Sequence, residues 1–441
     1  MPARRLLVCS LVLWIGLGLP MLAFGQQFRS DQVDDRAKLH RFIALQCLND
    51  AAKYTAEQQK FNEFFTRYYF PSMTRIDAAG LGEIATLRED LFNKYLWASN
   101  NPQLQADLTA LAYRAMGTIA VSPPGNPPQP PYHPTARYNA VLVLGNLDRK
   151  YANQASGPQP GVAEPLPQAN SALTLIVDGA TTSNTFSPPL ILAALIGLER
   201  HAQFRQSLSP QAVAAMTTAA LKLVMHDEPI QQLDAATYAW LRLRAASVLA
   251  NLGSVGTDNQ VYKAILHLVG NLKSLDDRCD AAAMLARLKY EGVKAEGAPT
   301  AETLLKLAAD IADAELKQAI EFEDRHVSGG MPISSGRMPD RRSSADFATS
   351  ETKQGYPRRT LVFHLTSLRQ AMTNVKPMVA TEVQTKFDAV LAAIDPVIRS
   401  ATDKDAIELE IAAAVRNMSA ALKQLAAAPA AVGATPLTAE K

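Results

Sequence analysis

Cysteine is nearly absent from this chain: three in 441 residues, at positions 9, 47 and 279. A fold stapled by a disulfide framework is thereby excluded, and a packed core must hold the chain together. Aromatic residues make up only 7% of it, which argues against an all-β architecture. No stretch after residue 26 approaches eighteen consecutive apolar residues, so no transmembrane segment is expected there. Readable metal motifs are missing too. The seven histidines, at 40, 133, 201, 226, 267, 326 and 364, never fall within four residues of each other, and there is no Cys-x-x-Cys. There is also no Gly-x-Ser-x-Gly elbow and no glycine-rich phosphate loop. The sequence therefore assigns no catalytic residue, no metal ligand and no cofactor, and a protein that is not an enzyme is expected.

What is present points to helices and to export. Apolar residues reach 48%, with Ala and Leu prominent, and both are strong helix formers. A chain of this length exceeds what one hydrophobic core usually serves, so several domains or a repeat array are expected. Arg4 and Arg5 precede the uncharged run Leu6–Leu19, and Pro20 with Ala23-Phe24-Gly25 completes a secretory signal layout over residues 1–25. A secreted or periplasmic bacterial protein is the expectation. Removing Arg4 and Arg5 from 44 basic residues leaves 42 against 42 acidic ones, a formal net charge of zero. Binding to nucleic acid needs a basic excess and is not expected. Cys47 and Cys279 could pair in an oxidising compartment, but their apolar helical contexts favour two buried thiols in separate domains.

Residues 26–120 read as an N-terminal helical region. Thr55 with Gln58 fits a capping box, and Asn101-Pro102 fits an N-cap followed by proline at the first helical position. The cluster Phe64, Phe65, Tyr68, Tyr69, Phe70 has helical spacing, which fits a core face better than a ligand-stacking surface. Seven prolines within 121–134 make a stiff connector.

Residues 135–326 carry a repeated frame. Arg137, Ala140, Leu144 and Leu147 have counterparts in Arg242, Ala245, Leu249 and Leu252, and again in Arg278, Ala281, Leu285 and Leu288. A small residue follows the first leucine of each set, at Gly145, Ala250 and Ala286, where it would let a neighbouring helix approach closely. A weaker copy without the arginine ends in Gly197-Leu198. A helical segment precedes each later copy, as in Pro210–His226 capped by Ser209, so the unit is a helical hairpin. This pattern resembles the HEAT-repeat, or armadillo-like, superfamily over roughly residues 135–292, and secreted bacterial proteins of that kind look similar at Arg137-Tyr138-Asn139-Ala140. The resemblance implies an all-α protein built as an α-solenoid with a partner-binding groove. It also implies that the three arginines bond neighbouring repeats or cap helix starts, a structural role.

Beyond a long closing helix, residues 327–358 gather Gly, Ser, Pro and charge and read as a flexible basic linker. With Arg359 it holds the one marked basic patch, at Arg337, Arg341, Arg342, Lys353, Arg358 and Arg359, a candidate electrostatic contact. Residues 359–428 contain three apolar seams: Leu361, Leu365, Leu368, Met372, Val375; Val383, Phe387, Val390, Ile394; and Ile411, Val415, Met418, Leu422, Leu425. Their spacing predicts a C-terminal three-helix bundle, with Thr402 and Asp405 capping the third helix and homo-oligomers as a further outcome. Residues 429–441 form an Ala/Pro-rich tail. The function expected from all this is a non-catalytic scaffold that binds a protein partner of unknown identity in the cell envelope. Two alternatives are a glycan-acting hydrolase or lyase using the Phe64–Phe70 aromatics, and an electrostatic tether to acidic polymer or lipid.

Overall fold

Side-chain caps and prolines set most of the helix starts. The computed structural model describes residues 35–122, 132–152, 162–182, 185–290, 297–328 and 355–427. Residues 1–34 with the expected signal segment, residues 123–131 of the expected connector, residues 329–354 of the expected linker and the tail from 428 lie outside that set. The described residues are overwhelmingly helical, so the protein is all-α. A short two-stranded antiparallel pair, β1 (Asp148–Lys150) with β2 (Glu164–Pro165), is an addition that the sequence does not announce.

Contacts divide the chain into two units, one of residues up to Ile176 with Thr185–Leu208, the other of Val177–Asn184 with Ser209 onward. This division falls inside the stretch 135–326 that carries the repeated frame.

In the first unit, α1 (Asp35–Cys47) packs on α2 (Ala51–Glu63), and α2 on α4 (Pro102–Val121). Asp50, not Thr55, caps α2: its carboxylate accepts from Lys53 N at 2.8 Å, while the Thr55 hydroxyl turns back to the Ala51 carbonyl at 2.9 Å. The helix starts five residues earlier than the Thr55-x-x-Gln58 pattern suggests because Asp50 is a stronger cap beside Ala51-Ala52. Asn101 caps α4 as its sequence predicts, accepting from Gln103 N and Leu104 N. Two six-residue π-helical segments, Phe64–Tyr69 and Leu91–Leu96, continue α2 and α3 (Ala78–Asp90). Helix α5 (Pro134–Asn146) packs on α3, α4 and α7 (Pro188–Gln203), while α6 (Pro167–Asp178) follows the β-pair. The α5–α7 crossing is close because Gly145 and Gly197 face each other. A Cβ added at Gly145 would lie 2.7 Å from the Gly197 Cα. These two glycines hold the small position of the first and the weak copy of the frame.

In the second unit, α8 (Pro210–Val224) pairs with α9 (Ala235–Leu252), and α10 (Gln260–Asn271) with α11 (Leu275–Leu285). Ser209 caps α8 through Ala212 N, and Gly253, left-handed at φ 69°, closes α9. Helix α8 also packs on α10, and α9 on α11. Then come the long α12 (Gly297–Ser328), α13 (Arg358–Val375), α14 (Thr381–Thr402) and α15 (Glu408–Ala427). The last three pack consecutively, but not only on each other: α13 also lies on α11 and α12, and α15 on α12. Their seams are buried at Leu361, Leu365, Leu368, Met372, Val375, Phe387, Val390, Ile394, Ile411, Val415, Met418 and Leu422. Thr402 does not cap α15. It is the last residue of α14, its hydroxyl bonded to the Ile398 carbonyl at 2.8 Å.

Candidate functional site

The frame residues occupy equivalent places. Ala140, Leu144, Leu147, Ala245, Leu249, Leu252, Ala281, Leu285 and Leu288 are all buried. Each arginine reaches back to the end of the helix before its own. Arg137 Nη2 donates to the Ala120 carbonyl of α4 at 3.2 Å. Arg242 donates from Nε and Nη2 to the Val224 carbonyl of α8, at 2.9 and 2.6 Å. Arg278 Nε donates to the Val269 carbonyl of α10 at 2.8 Å. The last four carbonyls of a helix have no intrahelical donor and carry the negative end of its dipole, so a guanidinium there satisfies both needs. Two of the three also hold a carboxylate: Arg242 meets Asp227 at 2.9 Å, and Arg278 meets Asp310 of α12 at 2.6 Å. Burial lowers the Arg137 pKa from its ordinary value.

A polar cluster that the sequence does not connect lies between α11, α12 and α13. The His364 ring is bonded on both nitrogens, Nδ1 to Glu315 Oε1 at 2.8 Å and Nε2 to Asp276 Oδ1 at 2.6 Å. His364 is 3% exposed and Glu315 fully buried, whereas the Asp276 carboxylate reaches solvent. Burial alone would lower the His364 pKa. Hydrogen bonds to Glu315 and Asp276, together with their charges, outweigh it and hold the pKa above the usual histidine value. Both nitrogens of the ring are thus held by carboxylates of neighbouring helices. Its chemistry is that of a clamp joining three helices. Glu315 and Asp276 stand 49 and 88 residues away from it in sequence. The one sequence signal is that His364 sits on the apolar seam three residues after Leu361, a position where a polar group must find a partner.

The remaining candidates take structural places as well. Phe64, Phe65, Tyr69 and Phe70 are buried and their rings pack on one another and on Tyr95 with centroids 5.0–6.1 Å apart, while Tyr68 is half-buried with its ring edge-on to His40. Four of these five rings belong to the core, in keeping with their helical spacing. Asp227 of the His226-Asp227-Glu228 group is held by Arg242. Arg358 donates to the carbonyls of Asp403 and Ala406 at 2.7 and 2.5 Å, joining the start of α13 to the loop before α15. Arg337, Arg341, Arg342 and Lys353 lie outside the described residues, and Arg359 begins α13 beside Arg358. Cys47 and Cys279 are buried free thiols, and burial pushes the Cys279 pKa up to about 12. Among the described residues no group of three His, Cys, Asp or Glu is placed to hold a metal ion, and no helix is long and apolar enough to cross a membrane.

One exposed aromatic side chain has a half-buried cation beside it. On α9, the Trp240 side chain is 43% exposed, and the Arg244 guanidinium lies 5.5 Å from its ring centroid. The class the fold defines is an all-α protein of helices packed on their neighbours. No protein-family model and no curated protein matches the chain.

Proposed function

We propose that this chain is an exported, non-catalytic helical-repeat scaffold that binds a protein partner in the cell envelope. In this reading the hairpins α8–α9 and α10–α11 begin a HEAT-like α-solenoid. Helices α12 and α13 extend it, and α14 and α15, the outer members of the expected C-terminal bundle, add further layers. The pairwise packing of α8, α10 and α12, and of α9, α11 and α13, supports a stack of two rows. The arginines at 137, 242 and 278 then fasten each second helix to the one before it.

The single observation carrying the binding role is Trp240 with Arg244. A solvent-facing tryptophan under a guanidinium combines the two side chains that most often anchor protein interfaces. It lies on a second helix of the repeat, clear of the buried face formed by Leu241, Ala245 and Leu249. The test is affinity capture of the tagged chain from its native envelope extract, beside the double variant Trp240→Ala, Arg244→Ala. The proposal expects one stoichiometric protein with the wild type and its loss with the variant. A chain that comes back alone at both low and moderate salt contradicts it.

A further inference from the structure

The first unit holds a cavity of about 220 Å³ that the scaffold reading does not use. Its wall is aromatic: Phe64, Tyr69 and Tyr95 pack with centroids 5.5–6.1 Å apart, and Tyr68 completes one side. The two π-helical segments supply these rings, Phe64–Tyr69 from one side and Leu91–Leu96 from the other. A π-helical turn is rare because it forgoes regular hydrogen bonding, and the wider turn re-aims the side chains it carries. Both segments end on bonds of that wider kind, Phe70 N to Phe65 O and Trp97 N to Phe92 O. Two such turns meeting at one aromatic wall is a costly arrangement for plain packing, since ordinary α-helix would bury the same rings.

The mouth of the cavity is polar and positive. Lys38 and Arg41, one turn apart on α1, line it, and Asp90 is the one acid beside them. Asp90 is itself engaged by Lys94 at 2.7 Å. Arg41 also reaches the Tyr95 hydroxyl. A guanidinium has five donors, so that contact leaves others for a second acceptor. The Tyr69 hydroxyl donates to the Leu87 carbonyl at 2.5 Å, which fixes that ring in the wall. The space exceeds the roughly 150 Å³ apolar cavity known to accept benzene.

We infer that this cavity binds a small organic monocarboxylate with a flat apolar body, the aromatic wall taking the body and Arg41 the carboxylate. A carboxylate suits the planar fork of donors that Arg41 keeps beyond its contact with Tyr95. The inference stands independently of the scaffold proposal, because it uses neither α9 nor a protein partner.

The test is isothermal titration of the full chain with 3-phenylpropionate and with its uncharged counterpart 3-phenylpropanol, at neutral pH. Expected is saturable binding of the acid about tenfold tighter than of the alcohol, a preference that added salt reduces. Arg41→Gln, a change at an exposed side chain, should equalise the two affinities while leaving the melting temperature unchanged. Arg114→Gln, at another surface of the same unit, should leave the preference intact. No saturable binding of the acid at millimolar concentration, equal affinity for acid and alcohol, or a preference that survives Arg41→Gln overturns the inference.

Discussion

Replacing His364 by Leu tests how much of the second unit depends on one buried clamp. The substitution removes a ring bonded at 2.8 Å to Glu315 and at 2.6 Å to Asp276, and it leaves the Glu315 carboxylate fully buried with no cation beside it. Breaking a buried pair by deleting one partner typically costs about 3–5 kcal/mol, because the surviving charge loses its compensation. Asp276 can turn to solvent, so the cost falls on Glu315. Adding Glu315→Leu should therefore recover most of the loss, since apolar residues of similar volume commonly replace buried ion pairs at little cost. Urea unfolding of the three proteins reads this directly. The same titrations across pH 5.5–9 read the proton. The folded His364 pKa lies above the ordinary histidine value of about 6.5, so its stabilisation is complete below that value and is lost as pH rises through the folded pKa. The wild type should lose stability over that upper range, and His364→Leu should not show that loss. A single-variant cost below about 1 kcal/mol, or an unchanged pH profile, would refute the clamp reasoning.

His201, in the first unit, should behave with the opposite sign. It is fully buried, and burial together with the neighbouring Arg200 lowers its pKa to about 3. The unfolded chain takes up a proton that the folded one refuses, so stability falls as pH drops from about 6.5 toward 3. His201→Gln should flatten that slope in an acid-unfolding series. Gly197→Ala forces α5 and α7 apart, since the new Cβ would meet the Gly145 Cα and a Leu173 methyl at 2.8 Å each. A loss of about 1–3 kcal/mol is expected by denaturant titration, outweighing the better helix propensity of alanine. Arg242→Ala leaves the Val224 carbonyl without its side-chain donor and should destabilise by about 1–3 kcal/mol, a loss that Arg242→Lys does not fully restore because one ammonium cannot reproduce the fork. Cys47 and Cys279 should resist a thiol reagent in the native protein and both react in denaturant, as buried thiols with raised pKa values do.

Local chemistry made some elements legible in the sequence. Asn101-Pro102 and Ser209-Pro210 carry their caps within three residues, and both helices start where those residues stand. The seams at Leu361 and Ile411 were readable because a helical face records its burial as a period. The paired glycines at 145 and 197 were visible as one position of a frame, though only the structure brings them together. Other features leave no local trace. A π-helical turn at Phe64–Tyr69 depends on one bond slipping by a residue, which the aromatic spacing does not encode. The β-pair joins residues that stand 14 to 17 positions apart in the sequence, Lys150 with Glu164 and Asp148 with Pro165. The His364 clamp is assembled from three helices, and a lone histidine on a seam says only that some partner exists. The exposure of Trp240 is likewise a tertiary fact, since its neighbours Tyr238 and Leu241 on the same helix are buried.

The central claim is that the Trp240 face of α9 holds a protein partner. Its most direct measurement is the dissociation constant of the captured partner from the purified chain, compared with that from Trp240→Ala. A buried tryptophan anchor predicts a loss of about 2 kcal/mol or more, close to thirtyfold, with the melting temperature unchanged. A change of less than about twofold, with the variant equally folded, would contradict the claim and place the binding surface elsewhere.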